Sequence, residues 1–341
     1  MKKSLITLGV LALFVLMAYG QEKKFALYSV AFYNMENLFD TIHDEGKNDY
    51  EYLPNGTNQW NTMKYKAKLK NMSEILSMLS TDKLPMGPAI IGVSEIENYR
   101  VLEDILKQPA LADRGYQYVH YEGADQRGVD CAFFYNPKLF ELTNSKLVPY
   151  VYINDTVHKT RGFLIASGNI AGEKMHFIVN HWPSRAAASP ARERAGEQVR
   201  AIKDSLLRED SAAKIVIMGD MNDDPMDKSM AVALGAKRKP ADVGPTDLYN
   251  PWWDTLKKGY GTLMYKGKWN LFDQIVFTGN LLGTDRSTLK FYKHEIFRRD
   301  FMFQKEGKYK GYPKRTQAGG VWLNGYSAVS YTHLRAHETR S

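Results

Sequence analysis

Ile215-Val216-Ile217-Met218-Gly219-Asp220-Met221-Asn222-Asp223-Asp224-Pro225 is the stretch of this sequence that decides the fold. Four apolar residues end at a glycine, and acids, an amide and a proline follow, so the pattern predicts a buried strand with polar groups at its tip. If extended geometry continues past Gly219, Asp220 and Asn222 share one face and converge on one metal-bound phosphate. The same residue types also build ordinary turns, and the spacing alone favours neither interpretation.

Composition limits the class of protein. The 341 residues are 44% hydrophobic, which is typical of one large globular domain or two small ones. A formal net charge of +8 favours polyanionic partners such as nucleic acid or anionic lipid head groups. Cys131 is the single cysteine of the chain, which excludes an internal disulfide.

The first twenty residues have the pattern of a signal peptide. Lys2 and Lys3 precede an apolar run over residues 5–17, and Ala18 and Gly20 supply the small residues of a cleavage site. A membrane anchor is the alternative, but the run is shorter than the roughly 20 residues that a spanning helix needs. We therefore expect residues 1–20 to be removed. The mature protein is expected to be an exported monomer, periplasmic or extracellular, with no membrane span.

Polar side chains recur at the other predicted strands. A lone carboxylate at a strand end is normally solvated, but its repetition along the chain weakens that interpretation. An aspartate flanked by apolar strand residues is costly to bury unless it is paired or bound. The residues and their predicted strands are Asn34 after 25–32, Glu95 after 89–93, His181 after 175–179 and Asp273 inside 269–277.

Apolar spacing and turn residues place the remaining elements. Helices are predicted over 69–79, 101–106 and from Ser189 to 206, a hairpin joins 116–121 to 129–135, and further strands cover 147–153 and 163–170. Lys68 and the neighbouring lysines of the first helix are predicted to be solvated. Residues 226–268 are predicted to be loop, and residues 328–341 to be neither strand nor helix.

Basic and aromatic residues are interleaved between Lys290 and Arg315. Such mixing suits a nucleic-acid surface, on which cations meet phosphates and rings stack on bases. It equally suits an edge strand with one apolar and one charged face, and we favour the edge strand.

The polar residues at strand ends form a set of hard metal ligands. Carboxylates and amides with one histidine, and no cluster of histidine and cysteine, fit Mg²⁺ or Mn²⁺ far better than Zn²⁺. Magnesium can neutralise phosphate oxygens, a carboxylate can orient or deprotonate water, and histidine and asparagine can donate to phosphoryl oxygens. The set therefore suits hydrolysis of phosphate esters. Its members are Asn34, Glu95, His181, Asp220, Asn222 and Asp273.

Six short motifs occur in a characteristic order along essentially the whole mature chain. They are Tyr33-Asn34-Met35-Glu36-Asn37-Leu38-Phe39, Ile90-Ile91-Gly92-Val93-Ser94-Glu95, Arg127-Gly128-Val129-Asp130, Asn180-His181-Trp182, Gly219-Asp220-Met221-Asn222-Asp223 and Phe272-Asp273-Gln274-Ile275. Together they resemble the endonuclease/exonuclease/phosphatase superfamily. The resemblance implies an α+β fold, a four-layer αββα sandwich of two mixed β-sheets packed face to face. It also implies Mg²⁺-dependent hydrolysis of a phosphodiester or phosphomonoester at one end of the sheets.

The resemblance also implies roles for single residues. Glu95 is similar to the principal metal ligand, with Asn34 beside it, and Asp273 to a ligand or to a residue that orients the catalytic groups. Asp220 is similar to the residue that orients or deprotonates water, but the general base stays open between it and the family's last histidine. The implied catalytic residues are Asp220, Asn222, His181 and Asp273, and the implied phosphate-binding residues are Asn34, His181, Asn222 and Arg185.

The C-terminus departs from the family pattern. The family's final motif is Ser-Asp-His followed by a β-segment, whereas Ser327 is followed here by Ala328 and Val329. We predict a domain over 21–327 and a non-native tail over 328–341, produced by truncation or frameshift, whose histidines do not substitute. Loss of a catalytic histidine typically costs about 10²- to 10⁴-fold in rate, so we expect severe impairment.

Three functions stay open. The leading hypothesis is an exported, Mg²⁺-dependent nuclease or phosphodiesterase that acts on nucleic acid. The second is the same chemistry on a lipid or inositol phosphate, and the third is an inactive protein that still binds phosphate. The interleaved segment from Lys290 to Arg315 favours nucleic acid slightly.

Overall fold

The structure of the chain is a computed structural model. It describes residues 26–326 except 154, 156 and 286, together with the backbone of Phe25 and of residues 329–337. The predicted signal peptide lies outside the described residues. Within the described part, no helix combines the length and the apolar character needed to cross a bilayer.

Four α-helices separate groups of strands in the described part of the chain. The strands are β1 (Phe25–Leu38), β2 (Ile90–Ile96), β3 (Gln117–His120), β4 (Asp130–Tyr135), β5 (Glu141–Val148), β6 (Phe163–Ile170), β7 (Glu173–His181), β8 (Lys214–Asp220), β9 (Ala236–Lys237), β10 (Leu248–Tyr249), β11 (Leu263–Tyr265), β12 (Lys268–Asn270), β13 (Asp273–Thr278), β14 (Lys290–Phe297), β15 (Gln317–Ala318), β16 (Val321–Trp322) and β17 (Val329–His337). The α-helices are α1 (Thr62–Ser77), α2 (Tyr99–Leu106), α3 (Ser189–Glu209) and α4 (Trp252–Lys257).

Two large mixed sheets contain most of the strands. One has the order β14-β17-β1-β2-β4-β3 and the other the order β5-β6-β7-β8-β13-β10-β9. β1 runs parallel to β2, and β7 runs parallel to β8, so each sheet has two carboxyl ends side by side. A hydrogen bond from Asn34 to Asp220 shows that these ends of the two sheets meet.

Side chains of the central strands alternate between separate core layers. Val216 and Met218 of β8 belong to the core between the two sheets, whereas Ile215 and Ile217 belong to the core beneath α3. β1 alternates in the same way between the inner core and the core beneath α1 and α2. Because both faces of each sheet are covered, apolar residues run continuously along these strands. The predicted α+β, four-layer αββα sandwich is confirmed.

The prediction that the C-terminal residues contain no strand is wrong. β17 lies between β1 and β14 and pairs antiparallel with both, with Val329 opposite Tyr33. The physical reason is that β1 and β14 each present backbone donors and acceptors that a strand in this place satisfies, and valine, tyrosine and threonine favour strands. That the tail is non-native stays a prediction, and residues 328 and 338–341 lie outside the described part.

Other local predictions also need correction. The strand expected over 269–277 is divided, because β12 ends at Asn270 and β13 begins at Asp273. Asp273 is therefore the first residue of a strand and not an interior one. The segment 226–268 contains β9, β10, α4 and β11, whose pairing at a sheet edge or in a hairpin outweighs weak local signals. The strand expected over 147–153 instead spans Glu141–Val148.

The interleaved basic and aromatic segment divides into two halves. Lys290–Phe297 forms β14, the edge strand of the first sheet, so the favoured interpretation is confirmed for this half. The second half, residues 298–315, is largely irregular and reaches the end of the sandwich where Asn34 and Asp220 meet, since Pro313 and Arg315 line the pocket there.

Candidate active site

Strand ends from both sheets bring the predicted residues together. Asn34 of β1 donates from Nδ2 to Glu95 Oε1 at 2.9 Å and to Asp220 Oδ2 at 3.0 Å. His181, the last residue of β7, places Nε2 3.7 Å from Glu95 Oε1. Asp273 lies directly across the antiparallel ladder from Asp220. The site therefore depends on the packing of the two sheets against each other.

The backbone leaves strand geometry where it carries the site. Glu36, Asn37 and Glu95 have φ angles of +49°, +56° and +59°. Residues other than glycine seldom adopt this left-handed conformation, which persists only where the surrounding structure fixes it. Here the Asn37 N–H donates to Glu95 Oε2 at 2.9 Å, and a register shift marks a β-bulge at Glu95. The bulge and the turn aim the Glu95 carboxylate at the site.

The segment from Gly219 to Asp223 is both a turn and part of the site. β8 ends at Asp220, and φ at Asn222 is +52°, so extended geometry does not continue to Asn222 and the alternative of a turn applies. The Asn222 N–H donates to Asp220 Oδ1 at 2.9 Å, and its Nδ2 donates to the Trp182 carbonyl at 3.0 Å. This side-chain-stabilised turn still leaves both residues lining one pocket.

The pocket has a volume of about 200 Å³. Its lining consists of Asn34, Glu36, Glu95, Asp220, Asn222, Thr262, Leu263, Phe272, Asp273, Pro313 and Arg315. His181 is not part of this lining but contacts Glu95. Arg185 is not part of this lining: its Nη2 lies 2.8 Å from Asp227 Oδ2, and its guanidinium lies 4.4 Å from the centre of the Phe272 ring. Arg185 also donates from Nε to the Asn222 carbonyl at 3.1 Å, so it lies beside the pocket without lining it, and its role stays a prediction.

Burial and charge shift the protonation of the site. Burial, and then the charge of Glu95, raises the pKa of Asp220 to about 6. Burial, and then the charge of Asp220, raises the pKa of Asp273 well above its usual value. Burial, and then the charge of Arg161, holds the pKa of His181 well below its usual value, so the ring is neutral near pH 7. A cation between these carboxyl groups would stabilise their ionised forms.

The donor set fits a hard divalent cation. Ligand atoms of Glu95, His181 and Asp220 all lie within 4.8 Å of one another, which is a spacing that one ion can span. Asp273 lines the pocket without belonging to this group of three. Asn34 presents its amide nitrogen to the carboxylates while its Oδ1 accepts from the Glu36 N–H at 2.7 Å, so its amide would turn to bind a metal. Carboxylate oxygens suit Mg²⁺ or Mn²⁺.

Two cations at the site were missed by sequence reasoning. Arg315 donates from Nε to Glu36 Oε1 at 2.5 Å and lines the pocket. Lys68 was predicted to be solvated, but it is buried on α1 and donates to the carbonyls of Glu36 and Asn37. Burial lowers the pKa of Lys68 to about 8. Its spacing of four residues from Met72 and seven from Ile75 was the available signal, because these positions share one face of the helix and both apolar side chains are buried.

Fold and site together define an αββα sandwich with a carboxylate-rich site at the end of its paired sheets. The chain belongs to the endonuclease/exonuclease/phosphatase family, whose profile it matches over residues 29–335. The match reaches into β17. No curated protein matches the sequence significantly.

Solved structures of other proteins share this fold. A complex of D. rerio TDP2 with a single strand DNA product has a TM-score of 0.55 and 12% identity, covering 91% of this chain and 99% of that one. An endonuclease/exonuclease/phosphatase family protein from Bacteroides thetaiotaomicron has a TM-score of 0.54 and 13% identity, covering 94% and 100%. ANGEL2, a 2',3'-cyclic phosphatase, has a TM-score of 0.58 and 11% identity, covering 93% and 99%. At these identities the likeness shows the fold alone.

Proposed function

We propose that this protein hydrolyses phosphate esters with the help of Mg²⁺ or Mn²⁺, and that its substrates are phosphodiesters of nucleic acid. The observation that carries the proposal is the convergence of Glu95, His181 and Asp220 beside a small polar pocket. Membership of the family supports this chemistry. The DNA product bound by D. rerio TDP2 supports nucleic acid as the substrate class. From the pattern of residues 1–20 we propose that it acts after export.

Each residue of the pocket has a chemical task in this proposal. Glu95 and Asp220 would hold the cation, which when bound neutralises charge on a phosphate oxygen. Arg315 and Asn222 line the pocket as hydrogen-bond donors for the other phosphate oxygens. Asp220 and Asp273 are the carboxyl groups available to orient a water molecule beside the cation.

An inactive phosphate-binding protein is the second candidate. Ala328 and Val329 stand where the family has Asp-His, and the register of β17 places Val329 opposite Tyr33, one residue from Asn34. By the family resemblance, the two missing groups would be part of the active site. In this second candidate, the cation and phosphate bind but turnover is absent.

Hydrolysis assays test the proposal. The chain, and a form with Asp-His restored at 328 and 329, are incubated with bis(4-nitrophenyl) phosphate and with single-stranded DNA, in Mg²⁺ or in EDTA. We expect Mg²⁺-dependent turnover that EDTA abolishes and that Glu95→Gln lowers by at least about 10²-fold.

The control is Glu122→Gln, which alters a separate group of three possible ligands with His120 and Asp130 and is expected to leave turnover unchanged. Absence of turnover in both forms across a wider panel of phosphoesters would reject the enzyme, and phosphate binding without turnover would favour the second candidate.

A further inference from the structure

A larger groove opens beside the catalytic pocket. Its volume is about 620 Å³, compared with about 200 Å³ for the pocket. Leu263, Pro313 and Arg315 line both, so the two spaces are adjacent. A ligand with a phosphate in the pocket can therefore extend directly into the groove.

Tyrosine rings, cations and Gln304 make up the polar part of the groove wall, beside six apolar residues. The three tyrosines and three cations are Tyr265, Tyr309, Tyr312, Lys266, Lys308 and Arg315. No aspartate or glutamate of the described chain lines the groove. Tyr265 is 63% exposed and Tyr309 is 50% exposed, so both rings offer surface to a ligand. The wall is complementary to a ligand that carries both flat rings and negative charge.

A hydrogen bond between separate loops connects two parts of the groove wall. The Gly267 N–H, in the turn between β11 and β12, donates to the Tyr312 hydroxyl at 2.8 Å. The Tyr309 and Tyr312 rings lie 5.4 Å apart in an edge-to-face arrangement. Lys266 and Lys308 place Nζ at 5.3 and 5.6 Å from the ring centres of the adjacent tyrosines. A preformed surface of this kind loses little conformational freedom when a ligand binds.

We propose that the tyrosine groove, defined by Tyr265, Tyr309 and Tyr312, binds unpaired nucleotides next to the phosphate that occupies the catalytic pocket. The substrate is then single-stranded nucleic acid, because unpaired bases expose their faces to stacking whereas bases in a duplex do not. The lysines and Arg315 meet the phosphates of the same strand. The inference rests on the proposed function for the phosphate in the pocket.

The chain supplies a matched control for the groove. Tyr292 belongs to the same interleaved segment and is 52% exposed, but it lies on the edge strand β14 and does not line the groove. A general effect of exposed tyrosines on binding would be shared by Tyr292 and Tyr309. An effect of the groove would be confined to Tyr309 and Tyr265.

Fluorescence anisotropy with a labelled oligothymidylate of about ten nucleotides, in EDTA, measures binding without cleavage. We expect Tyr309→Ala and Tyr265→Ala each to weaken binding about 5- to 100-fold. Tyr309→Phe, which keeps the ring, and Tyr292→Ala are expected to bind like the unaltered chain. A strand of equal length and charge without bases is expected to bind weakly and to be insensitive to Tyr309→Ala, and a blunt duplex is expected to bind more weakly than the single strand.

Several results would overturn the inference. They are unchanged binding by Tyr309→Ala and Tyr265→Ala, binding of the duplex as tight as that of the single strand, or displacement of the oligonucleotide by anionic phospholipid vesicles in a tyrosine-dependent manner. Metal-dependent hydrolysis of bis(4-nitrophenyl) phosphate reports on the pocket alone and separates the two proposals. If that hydrolysis occurs while the tyrosine variants bind the oligonucleotide normally, nucleotide binding by the groove is rejected and the proposed function is retained. If binding depends on the tyrosines but the restored form hydrolyses no phosphoester, the proposed function is rejected and nucleotide binding by the groove is retained.

Discussion

Asp220 and Asp273 are ladder partners whose side chains are both buried. Burial penalises the ionised form of each, and the negative charge of a neighbouring carboxylate adds to the penalty. The left-handed backbone at Glu95 and Asn222 adds conformational strain at the same place. These residues therefore lower the free energy of unfolding of the metal-free protein, and replacing one of the buried carboxyl groups should raise it.

Asp220→Asn is expected to stabilise the metal-free protein near neutral pH. The pKa of Asp220 is about 6 in the fold and 3.8 ordinarily, so the folded state binds the proton more tightly, and the group's contribution to stability falls as pH rises from about 4 to 6. A neutral amide removes a penalty of about 3 kcal/mol and loses about 1 kcal/mol with one accepted hydrogen bond. Urea unfolding in EDTA near pH 7.5 should show a net gain of about 2 kcal/mol.

The pH dependence and the response to metal provide the controls for this variant. Near pH 4.5 the carboxyl of the unaltered protein is mostly protonated in the fold, so the gain should shrink toward zero. Stabilisation by Mg²⁺, which follows from binding to the folded state alone, should be lost in Asp220→Asn. A variant less stable than the unaltered protein near pH 7.5 would contradict the electrostatic account.

At the scale of elements, strand tips were predictable because their signals are local. The apolar run before Asp220 and the β-formers before Asn34 both end at polar residues, and the structure places both tips at the site. The hairpin of β3 and β4 and the helices α1 to α3 were also predictable from spacing and turn residues. Their packing into four layers was implied by the family resemblance and not by any single pattern.

The unpredicted features arise from contacts between distant segments. The left-handed turn at Glu36 and Asn37 is held by Lys68, which no spacing rule connects to β1. Arg315 reaches the site from a segment of mixed basic and aromatic residues in which no position is distinguished locally. β17 forms because β1 and β14 provide partners on both sides. In each case a contact with a segment distant in sequence, and not the neighbouring residues, determines the local conformation or position.

Ala328→Asp together with Val329→His is expected to create or raise Mg²⁺-dependent hydrolysis. Val329 is the first residue of β17 and lies opposite Tyr33, so the new histidine enters the strand one residue from Asn34 in register. A restored catalytic histidine contributes about 10²- to 10⁴-fold in rate. Turnover of bis(4-nitrophenyl) phosphate in Mg²⁺ measures the change.

A shifted pair is the matched control for this restoration. Ser330→Asp with Tyr331→His adds the same two residues two positions later, which keeps each on its own face of the sheet but moves it roughly 7 Å along β17, away from Asn34. The shifted pair should leave turnover at the level of the unaltered chain. Equal gains from both pairs, or no gain from the restored pair in a folded protein, would show that β17 does not carry the missing catalytic groups.

At the scale of the whole molecule, the two sheets are joined by side chains as well as by their common core. His294 lies on β14 of the first sheet, and its Nε2 is 2.9 Å from the hydroxyl of Thr255 in α4, which lies between β10 and β13 of the second sheet along the chain. Its ring packs edge to face on Trp252 with centroids 4.8 Å apart. Burial, and then the charge of Lys258, lowers the pKa of His294 to about 4. This contact therefore requires a neutral imidazole.

His294→Gln is expected to reduce the loss of stability in acid. The ordinary pKa of histidine is 6.5, so between about pH 6.5 and 4 the unfolded chain binds a proton that the folded protein does not, and stability falls as pH falls. Allowing for partial exposure, this amounts to about 2 kcal/mol, which the glutamine variant does not lose.

Urea unfolding in EDTA near pH 7.5 and pH 4.5 compares the two proteins, and the opposite pH dependence of Asp220 and Asp273 cancels because both proteins contain them. An equal loss of stability in His294→Gln would mean that the contact between the sheets tolerates a charged ring.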